Sequence, residues 1–392
     1  MRRAVKAALL QLHSIIGLVL GLVLMLVGVT GAMMSFEDEI LAGLNAGVMR
    51  VEPRTTPRLT PDELIARVQA ASPGPIASVT LARDPAAAAR IRFARNEDSS
   101  RPSSLYVDPY DGRVLGHQVG ADFFWKVQRL HRWLLLPGDN KGYGRLITGI
   151  VAISLIAMLI SGLVLRWPHR PGSLKVWLKP HLRLHGRGLY RSLHSVVGTW
   201  VMLIYLVIVL SGLWWSFDWY KAGATWMFAR APAAAEPMKA KAPGGKARAD
   251  RTAAVTSTLH LDRAWATFVQ DRGENFASAR LTLPSGGEPT VRIRSWLTEA
   301  ADGRRDEFRI DAATGAIVSR ELYADKTTGE RMLSRMFDIH RGSILGWPGR
   351  LLFMLAALSM PLFGITGLLL YLSRRRHQRM TQAAMGRLVP GE

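Results

Sequence analysis

Four histidines occupy positions where imidazole side chains could bind metal at the ends of apolar segments. His13 and His194 open two apolar runs that align with each other without a gap, 181 positions apart. His131 and His340 stand in Leu-His-Arg and Ile-His-Arg, each ahead of another apolar run. Two imidazoles at the same depth, occurring twice, are the arrangement that would hold two haem irons in a membrane. The sequence therefore predicts two bis-histidine sites.

A glycine follows each of the first two histidines four residues later, at Gly17 and Gly198. On a helix this spacing puts the glycine on the same face as the histidine, one turn away. Since glycine has no Cβ, a flat macrocycle could lie against the backbone there. Iron with two imidazole ligands is closed to further ligands, which suits electron transfer better than oxygen chemistry.

Each of these features also has a simpler interpretation. His13 and His194 could hydrogen-bond to neighbouring helices, with Gly17 and Gly21 forming a helix-packing seam. The segments that carry the other two histidines could be interfacial helices that use His and Arg as headgroup anchors. His185 is an alternative ligand for the inner pair. The occurrence of each feature in both halves favours the interpretation as haem ligands.

The chain has no cysteine. This excludes thiolate-held iron–sulfur clusters, thiol catalysis, disulfides and covalent haem attachment. Any haem would be haem b, held without covalent bonds by the axial ligands His13, His194, His131 and His340. No motif for binding NAD, flavin or a catalytic zinc ion is present. We therefore expect electrons to come from a separate donor, either a cytoplasmic flavoprotein or membrane quinol.

Four apolar runs, at residues 9–34, 146–167, 193–217 and 351–372, are long enough to cross a membrane. A hydrocarbon core of ~30 Å needs about 20 residues of helix. The first run is too long for the apolar region of a cleaved signal peptide, so we expect it to be retained. Trp214, Trp215 and Tyr205 in the third run could line an electron path or form an aromatic belt.

The net charge of +21 is unevenly distributed. Basic residues without balancing acids concentrate in residues 1–7, in residues 166–191 and in the tail after residue 373, whereas the two long segments between spans are nearly neutral. The positive-inside rule then predicts that both termini are cytoplasmic and both long segments lie outside. The basic excess is explained by topology and lipid-headgroup contact, and nucleic acid is not expected as a partner.

Both long segments have the pattern of a small α+β domain. In the first, Thr60 and Glu63 form a capping-box signature ahead of a helix, and a hairpin signal surrounds Asp108-Pro-Tyr-Asp-Gly112. The second has a similar order of helix and strands, with Asp311 and Gly315 at the corresponding turn. The predicted organisation is residues 1–36 as N-terminus and first span, 37–122 as first outer domain, 123–167 as interfacial helix and second span, 168–190 as basic cytoplasmic loop, 191–218 as third span, 219–250 as mobile linker, 251–332 as second outer domain, 333–373 as interfacial helix and fourth span, and 374–392 as basic cytoplasmic tail.

On these residues the chain resembles the PepSY-associated transmembrane family of bacterial inner-membrane proteins. The resemblance is carried by the His-x-x-x-Gly entries to two spans, by Thr30-Gly31 and Ser211-Gly212 at their exits, and by the Asp-x-x-x-Gly hairpins. It covers nearly the whole chain. It implies four membrane-spanning helices in two tandem repeats, with two periplasmic α+β PepSY-like domains.

Within that family, the ferric-siderophore reductases are the closest functional match. The resemblance implies b-type haem in the membrane and reduction of a ferric siderophore, or another acceptor, on the periplasmic side. Two alternatives remain open at the level of sequence. One is a haem-free siderophore permease or accessory subunit, although the span centres contain no charge. The other is a membrane-anchored PepSY sensor, which gives no reason for histidines in both halves.

Overall fold

The computed structural model describes residues 3–94, 104–229, 260–273, 275–284, 290–298 and 302–388, the last of these without side chains beyond residue 381. The helices are α1 (Arg3–Met33), α2 (Glu37–Leu44), α3 (Ala46–Met49), α4 (Pro61–Ala71), α5 (Ala121–Trp133), α6 (Tyr143–Arg166), α7 (Leu174–Leu178), α8 (Gly186–Ser216), α9 (Asp218–Phe228), α10 (Leu261–Arg272), α11 (Thr328–Ser334), α12 (Met336–Arg341), α13 (Gly346–Leu358) and α14 (Met360–Leu388). The strands are β1 (Ile76–Ala82), β2 (Ala89–Phe93), β3 (Ser104–Val107), β4 (Val114–Gly116), β5 (Ser278–Thr282), β6 (Thr290–Trp296), β7 (Arg305–Asp311) and β8 (Ile317–Glu321).

The chain divides into two compact units. A helical unit comprises residues 1–37, 123–224 and 336–392, and a sheet unit comprises residues 38–122 and 225–335. The helical unit contains four segments that are long and apolar enough to cross a membrane, as the sequence predicts: α1, α6, α8 and the pair α13–α14. Leu24, Val151, Val201, Tyr205 and Ala356, drawn from all four segments, form its buried core.

The fourth span is interrupted, whereas the sequence pattern predicts one continuous helix. Helix α13 ends at Leu358 and α14 begins at Met360, with Ser359 between them. Pro361 explains the interruption because its ring has no N–H and clashes with the carbonyl group four residues earlier. The hydroxyl of Tyr205 donates to the carbonyl oxygen of Ala356 at 2.8 Å and lies 2.8 Å from Ser359 Oγ. A polar side chain of α8 thus joins the hydrogen bonds that Ser359 makes to the carbonyl oxygen of Ala356 beside the interruption.

The sheet unit contains one antiparallel sheet of eight strands in the order β4-β3-β2-β1-β5-β6-β7-β8. The sequence predicts two separate domains here. In the structure β1 pairs with β5, with Thr80 opposite Arg280, so that the two sets of four strands are continuous. One hydrophobic core contains residues from both segments, including Val79 and Leu281. The alternation of apolar and polar residues shows which face of a strand is buried, but it does not show which strand lies at its edge. The pairing of β1 with β5 could therefore not be predicted from this pattern.

The two helices on this sheet are joined at their N-termini by a reciprocal contact. Asp62 of α4 accepts hydrogen bonds from the backbone N–H groups of Leu261 and Asp262, both at 3.2 Å. In return, Asp262 of α10 accepts one from the N–H of Asp62 at 2.9 Å. Each carboxylate therefore satisfies N–H groups that a helix start leaves without intrahelical partners. The predicted capping box of Thr60 and Glu63 is present at the start of α4.

Part of the predicted linker is helical. Residues 218–228 form α9, in which Lys221 lies over the ring of Trp214 of α8 at 5.4 Å. The N-terminus of α9 carries Asp218, which favours a helix start through the helix dipole. The remaining linker residues, 230–250, lie outside the described residues.

Candidate functional site

The first two predicted ligands lie side by side in the helical unit. His13 of α1 and His194 of α8 have ring centroids 6.2 Å apart, with planes inclined by 70°. Each imidazole is fixed by a hydroxyl on the other span of its own half of the chain. His13 Nδ1 lies 2.9 Å from Ser161 Oγ of α6, and His194 Nδ1 lies 2.8 Å from Thr366 Oγ1 of α14. We call these two histidines the inner pair.

The other two predicted ligands form a second pair with nearly the same geometry. His131 of α5 and His340 of α12 have ring centroids 6.4 Å apart, with planes inclined by 69°. His131 Nδ1 lies 3.1 Å from Thr30 Oγ1, and His340 Nδ1 lies 3.0 Å from Ser211 Oγ. We call these two histidines the outer pair. In both pairs, each half of the chain contributes one imidazole.

The hydrogen bonds of the outer pair determine its tautomer. His131 Nδ1 is 2.9 Å from the carbonyl oxygen of Val27, and His340 Nδ1 is 3.0 Å from that of Ile208. A carbonyl oxygen only accepts, so Nδ1 must carry the proton and donate it. The lone pair of each ring is then on Nε2, which is the arrangement found in histidines that bind metal.

The inner pair reaches the same tautomer by a different route. Ser161 Oγ donates to the carbonyl oxygen of Met158, and Thr366 Oγ1 donates to that of Leu362. Because each hydroxyl has only one proton, it must accept from the histidine Nδ1–H. All four histidines therefore present an Nε2 lone pair, and none of the four Nε2 atoms has a hydrogen-bond partner among the described residues.

A glycine next to each hydroxyl makes room for the imidazole. A Cβ on Gly31 would lie 3.0 Å from His131 Cε1, and one on Gly212 would lie 3.2 Å from His340 Cε1. The corresponding distances in the inner pair are 3.4 Å from Gly162 to His13 and 3.7 Å from Gly367 to His194. Each histidine thus contacts a Ser/Thr-Gly dipeptide, and each of the four spans carries one such dipeptide: Thr30-Gly31, Ser161-Gly162, Ser211-Gly212 and Thr366-Gly367.

Sequence reasoning missed half of these supporting residues. The sequence pattern of Thr30-Gly31 and Ser211-Gly212 indicates the family but not a contact with histidine. Ser161-Gly162 and Thr366-Gly367 are not among the residues predicted from the sequence. The recurrence of one dipeptide in all four apolar runs would have found them. The glycines that were singled out have other neighbours: a Cβ on Gly17 would lie 3.2 Å from Met158, and one on Gly198 would lie 3.5 Å from Phe363.

Aromatic side chains surround both pairs. The ring centroid of Phe363 lies 5.3 Å from that of His194 and 6.0 Å from that of Tyr205, which connects the inner pair with the buried core. In the outer pair, Trp215 lies 5.6 Å from His340. Of the three aromatic residues proposed from sequence, Trp215 therefore lies beside the outer pair, Tyr205 is connected to the inner pair only through Phe363, and Trp214 lies against Lys221.

The outer pair is in a region that disfavours positive charge. Burial lowers the pKa of His340 to about 4, and burial together with the neighbouring His340 lowers the pKa of His131 to about 4. The burial of Arg132, together with Arg145, also lowers the pKa of that guanidinium. The imidazoles of the outer pair are thus neutral at physiological pH, which is the form that binds metal.

The donor set limits what could bind at these sites. Within the described part of the chain, no group of three or more His, Cys, Asp or Glu side chains could hold a metal ion. Each pair would leave a bare ion with two protein ligands, which is too few for a stable site. A macrocycle that supplies its own equatorial ligands fits this set of donors. His185, the alternative inner ligand, is exposed at the N-cap of α8.

The comparison with known proteins agrees with this architecture. No curated protein matches the chain. The family model described as the PepSY-associated TM region matches residues 10–374, which include all four spans, both pairs of histidines and the sheet unit. The chain therefore belongs to the PepSY-associated transmembrane family.

Proposed function

We propose that the protein is a di-haem b-type electron-transfer protein of the bacterial inner membrane that reduces a ferric siderophore on the periplasmic side. The proposal includes two tandem halves, two bis-histidine haem sites and two PepSY-like segments in the periplasm. It makes the protein an oxidoreductase whose electrons come from a separate donor, a cytoplasmic flavoprotein or membrane quinol. The observation that carries the proposal is the matching geometry of the two histidine pairs.

The distance within each pair fits one metal ion between two imidazoles. With metal–nitrogen bonds of about 2.0 Å, two imidazoles at this separation could share one metal ion through their Nε2 atoms. The observed separations are 6.2 Å in the inner pair and 6.4 Å in the outer pair. Edge-to-face packing of two rings allows the same separation, so the support for a ligand role comes from the four Nε2 lone pairs, which have no donor among the described residues.

The residues around each pair support the role of a rigid holder. A haem b bound at each pair would supply one-electron redox chemistry. The hydroxyls of Thr30, Ser161, Ser211 and Thr366 orient the imidazoles. The proton is kept on Nδ1 by Ser161 and Thr366 in the inner pair, and by the carbonyl oxygens of Val27 and Ile208 in the outer pair. Tyr205 is buried in the apolar core of the helical unit, and Phe363 packs against that core.

The direction of electron flow rests on topology and on the family resemblance. The basic segments predict a cytoplasmic location for both termini, and this puts the outer pair and the sheet unit on the periplasmic side. The substrate would be Fe(III) in a siderophore, which takes up one electron and becomes Fe(II). The reduced ion binds hard oxygen ligands more weakly, so the iron can be released.

Two other functions compete with this one. A haem-free permease or accessory subunit would need a polar path through the spans. The buried hydroxyl of Tyr205 near the centre of α8 is instead hydrogen-bonded to Ala356 and Ser359, beside the interruption of the fourth span. A PepSY sensor anchored by its spans would need no matched imidazoles. Neither alternative predicts a coloured protein.

An absorption spectrum of the purified chain tests the proposal directly. We expect a b-type spectrum that dithionite reduces, with two haems per chain. His13→Ala and His194→Ala should each remove one haem, and His131→Ala and His340→Ala the other. His117→Ala, an exposed histidine of the sheet unit, serves as the control and should retain both. A colourless wild-type protein, or unchanged haem content in all four variants, would overturn the proposal.

A further inference from the structure

The two faces of the eight-stranded sheet differ in character. One face carries the core residues that pack under α4 and α10, such as Ile91, Ile293 and Phe308. The opposite face carries arginines on three of the four central strands. We call this group the arginine trough, and it consists of Arg90 and Arg92 of β2, Arg280 of β5, and Arg292 and Arg294 of β6.

The register of the strands forces these positive charges together. Arg280 lies directly opposite Arg294, and Arg292 lies directly opposite Arg309. Like charges at directly opposed positions destabilise a sheet. Burial, together with Arg90, Arg92, Arg294 and Arg292, lowers the pKa of Arg280 to about 10. Repulsion among these arginines therefore lowers the stability of the folded sheet. Residues that lower stability are commonly found in functional sites.

The described residues neutralise this charge only in part. Glu307 pairs with Arg294, with Nε and Oε2 2.6 Å apart. Within the described part of the chain, the buried Nε of Arg292 has no hydrogen-bond partner and Arg90 has no ion pair. A buried guanidinium nitrogen without an acceptor carries the full desolvation cost. An anionic ligand with several oxygens would remove both the repulsion and the unsatisfied donor.

The shape of the trough suits a small ligand. Its floor consists of short side chains of the two middle strands, Ser78, Thr80 and Thr282. Arg280 lies along this floor, since its Nε donates to Thr80 Oγ1 at 3.3 Å and its guanidinium lies 5.2 Å from the centre of the Trp296 ring. The arginines of β2 and β6 are separated by three strand intervals, about 14 Å.

We propose that the arginine trough binds a small, soluble, multiply charged oxyanion, a molecule with two or more carboxylate or phosphate groups. Arginine is suited to this role because its planar fork pairs with two oxygens of one carboxylate or phosphate group. The site is made entirely of residues of the sheet unit. It is independent of the histidine pairs, and it holds whether or not they bind haem.

Isothermal titration calorimetry of the full chain in a neutral detergent tests the proposal, with citrate and pyrophosphate as probes. We expect saturable binding of at least one probe, weakened by rising NaCl concentration because salt screens charge. Arg280→Gln and Arg292→Gln should each weaken it about tenfold, through the loss of charge-assisted hydrogen bonds. Arg320→Gln is the matched control. This arginine is on β8 of the same sheet and pairs with Asp271 of α10, and its removal should leave binding unchanged.

Three results would overturn the proposal. They are no saturable binding of either probe at low salt, equal binding by Arg280→Gln and Arg320→Gln, or binding only to vesicles that contain anionic phosphatidylglycerol. Thermal unfolding separates these outcomes from misfolding, because Arg280→Gln relieves repulsion and should unfold at the same or a higher temperature. Should that variant nevertheless misfold, Arg90→Gln provides the same test from the other side of the trough.

Discussion

The ring of Phe363 lies edge-on to the imidazole of His194, with ring centroids 5.3 Å apart and planes inclined by 85°. Phe363→Ala should remove this support and free the imidazole to rotate. We expect loss of the haem proposed for the inner pair and retention of the other, which the haem-to-protein ratio would measure. Phe123→Ala, at an exposed position, is the control and should retain both. A full complement of haem in Phe363→Ala would show that the ring does not position His194.

Tyr205 hydrogen-bonds to the interruption of the fourth span. Tyr205→Phe removes the hydroxyl that bonds to Ala356 and Ser359. Hydrogen bonds between membrane helices contribute about 0.6 kcal/mol on average and up to about 1.7 kcal/mol. We expect a loss of stability in this range, measured by thermal unfolding in detergent. Tyr371→Phe is the control, because no hydrogen bond of that hydroxyl is present among the described residues. Equal losses of stability in both variants would show that the hydrogen bonds of Tyr205 do not stabilise the protein.

The glycines beside the outer pair should not tolerate a methyl group. In Gly31→Ala the new Cβ would lie 3.0 Å from His131 Cε1, and in Gly212→Ala it would lie 3.2 Å from His340 Cε1. Displacement of either ring should remove the haem proposed for the outer pair in each variant. Gly21→Ala is a matched control on α1, since among the described residues no atom outside the local backbone of that helix lies within 4 Å of its added Cβ. Normal haem content in Gly31→Ala would argue against a fixed imidazole.

The hydroxyl of Thr366 should tune the inner pair without contacting the ligand. Thr366→Val keeps the shape of the side chain but removes the acceptor for His194 Nδ1–H. Loss of such a supporting group typically costs about 10–100-fold in metal-site affinity. Haem-transfer kinetics to an apo-acceptor protein would measure this effect. Thr366→Ser keeps the hydroxyl and should retain near-normal affinity, whereas parallel losses in both variants would indicate a packing role.

The two aspartates that join α4 and α10 should contribute unequally. Asp62→Ala removes the acceptor for two backbone N–H groups, and Asp262→Ala removes the acceptor for one. A lost cap costs about 0.5–2 kcal/mol. We therefore expect Asp62→Ala to be the more destabilising of the two, measured by thermal unfolding and by the rate of proteolysis within the sheet unit. A larger effect of Asp262→Ala would contradict this ranking.

The spans and the histidine positions could be predicted from the sequence because they depend on local signals. Twenty apolar residues make a span wherever they occur, and His13 and His194 stand at the same place in two similar runs. The capping box of Thr60 depends on residues within one turn, and it is present as predicted. Features of this kind do not require knowledge of the partner element.

Features that depend on contacts between distant segments were not predictable in this way. The pairing of β1 with β5 joins residues about 200 positions apart, and either strand could have remained at an edge. Gly17 and Gly198 have the spacing expected beside a macrocycle, but their neighbours are Met158 and Phe363, since the rotation of each helix is set by its packing. The arginine trough arises from strand register, which the sequence alone does not specify.

The shared core of the sheet unit has a consequence for biosynthesis. Val79 and Leu281 pack into one cluster, although about 200 residues of chain and two spans separate them. Until β5 has been synthesised, the edge of β1 that faces β5 has no partner strand, although β2 pairs with the other edge. An unpaired strand edge invites aggregation. The first four strands are therefore exposed to aggregation during the interval between the synthesis of β4 and the synthesis of β5.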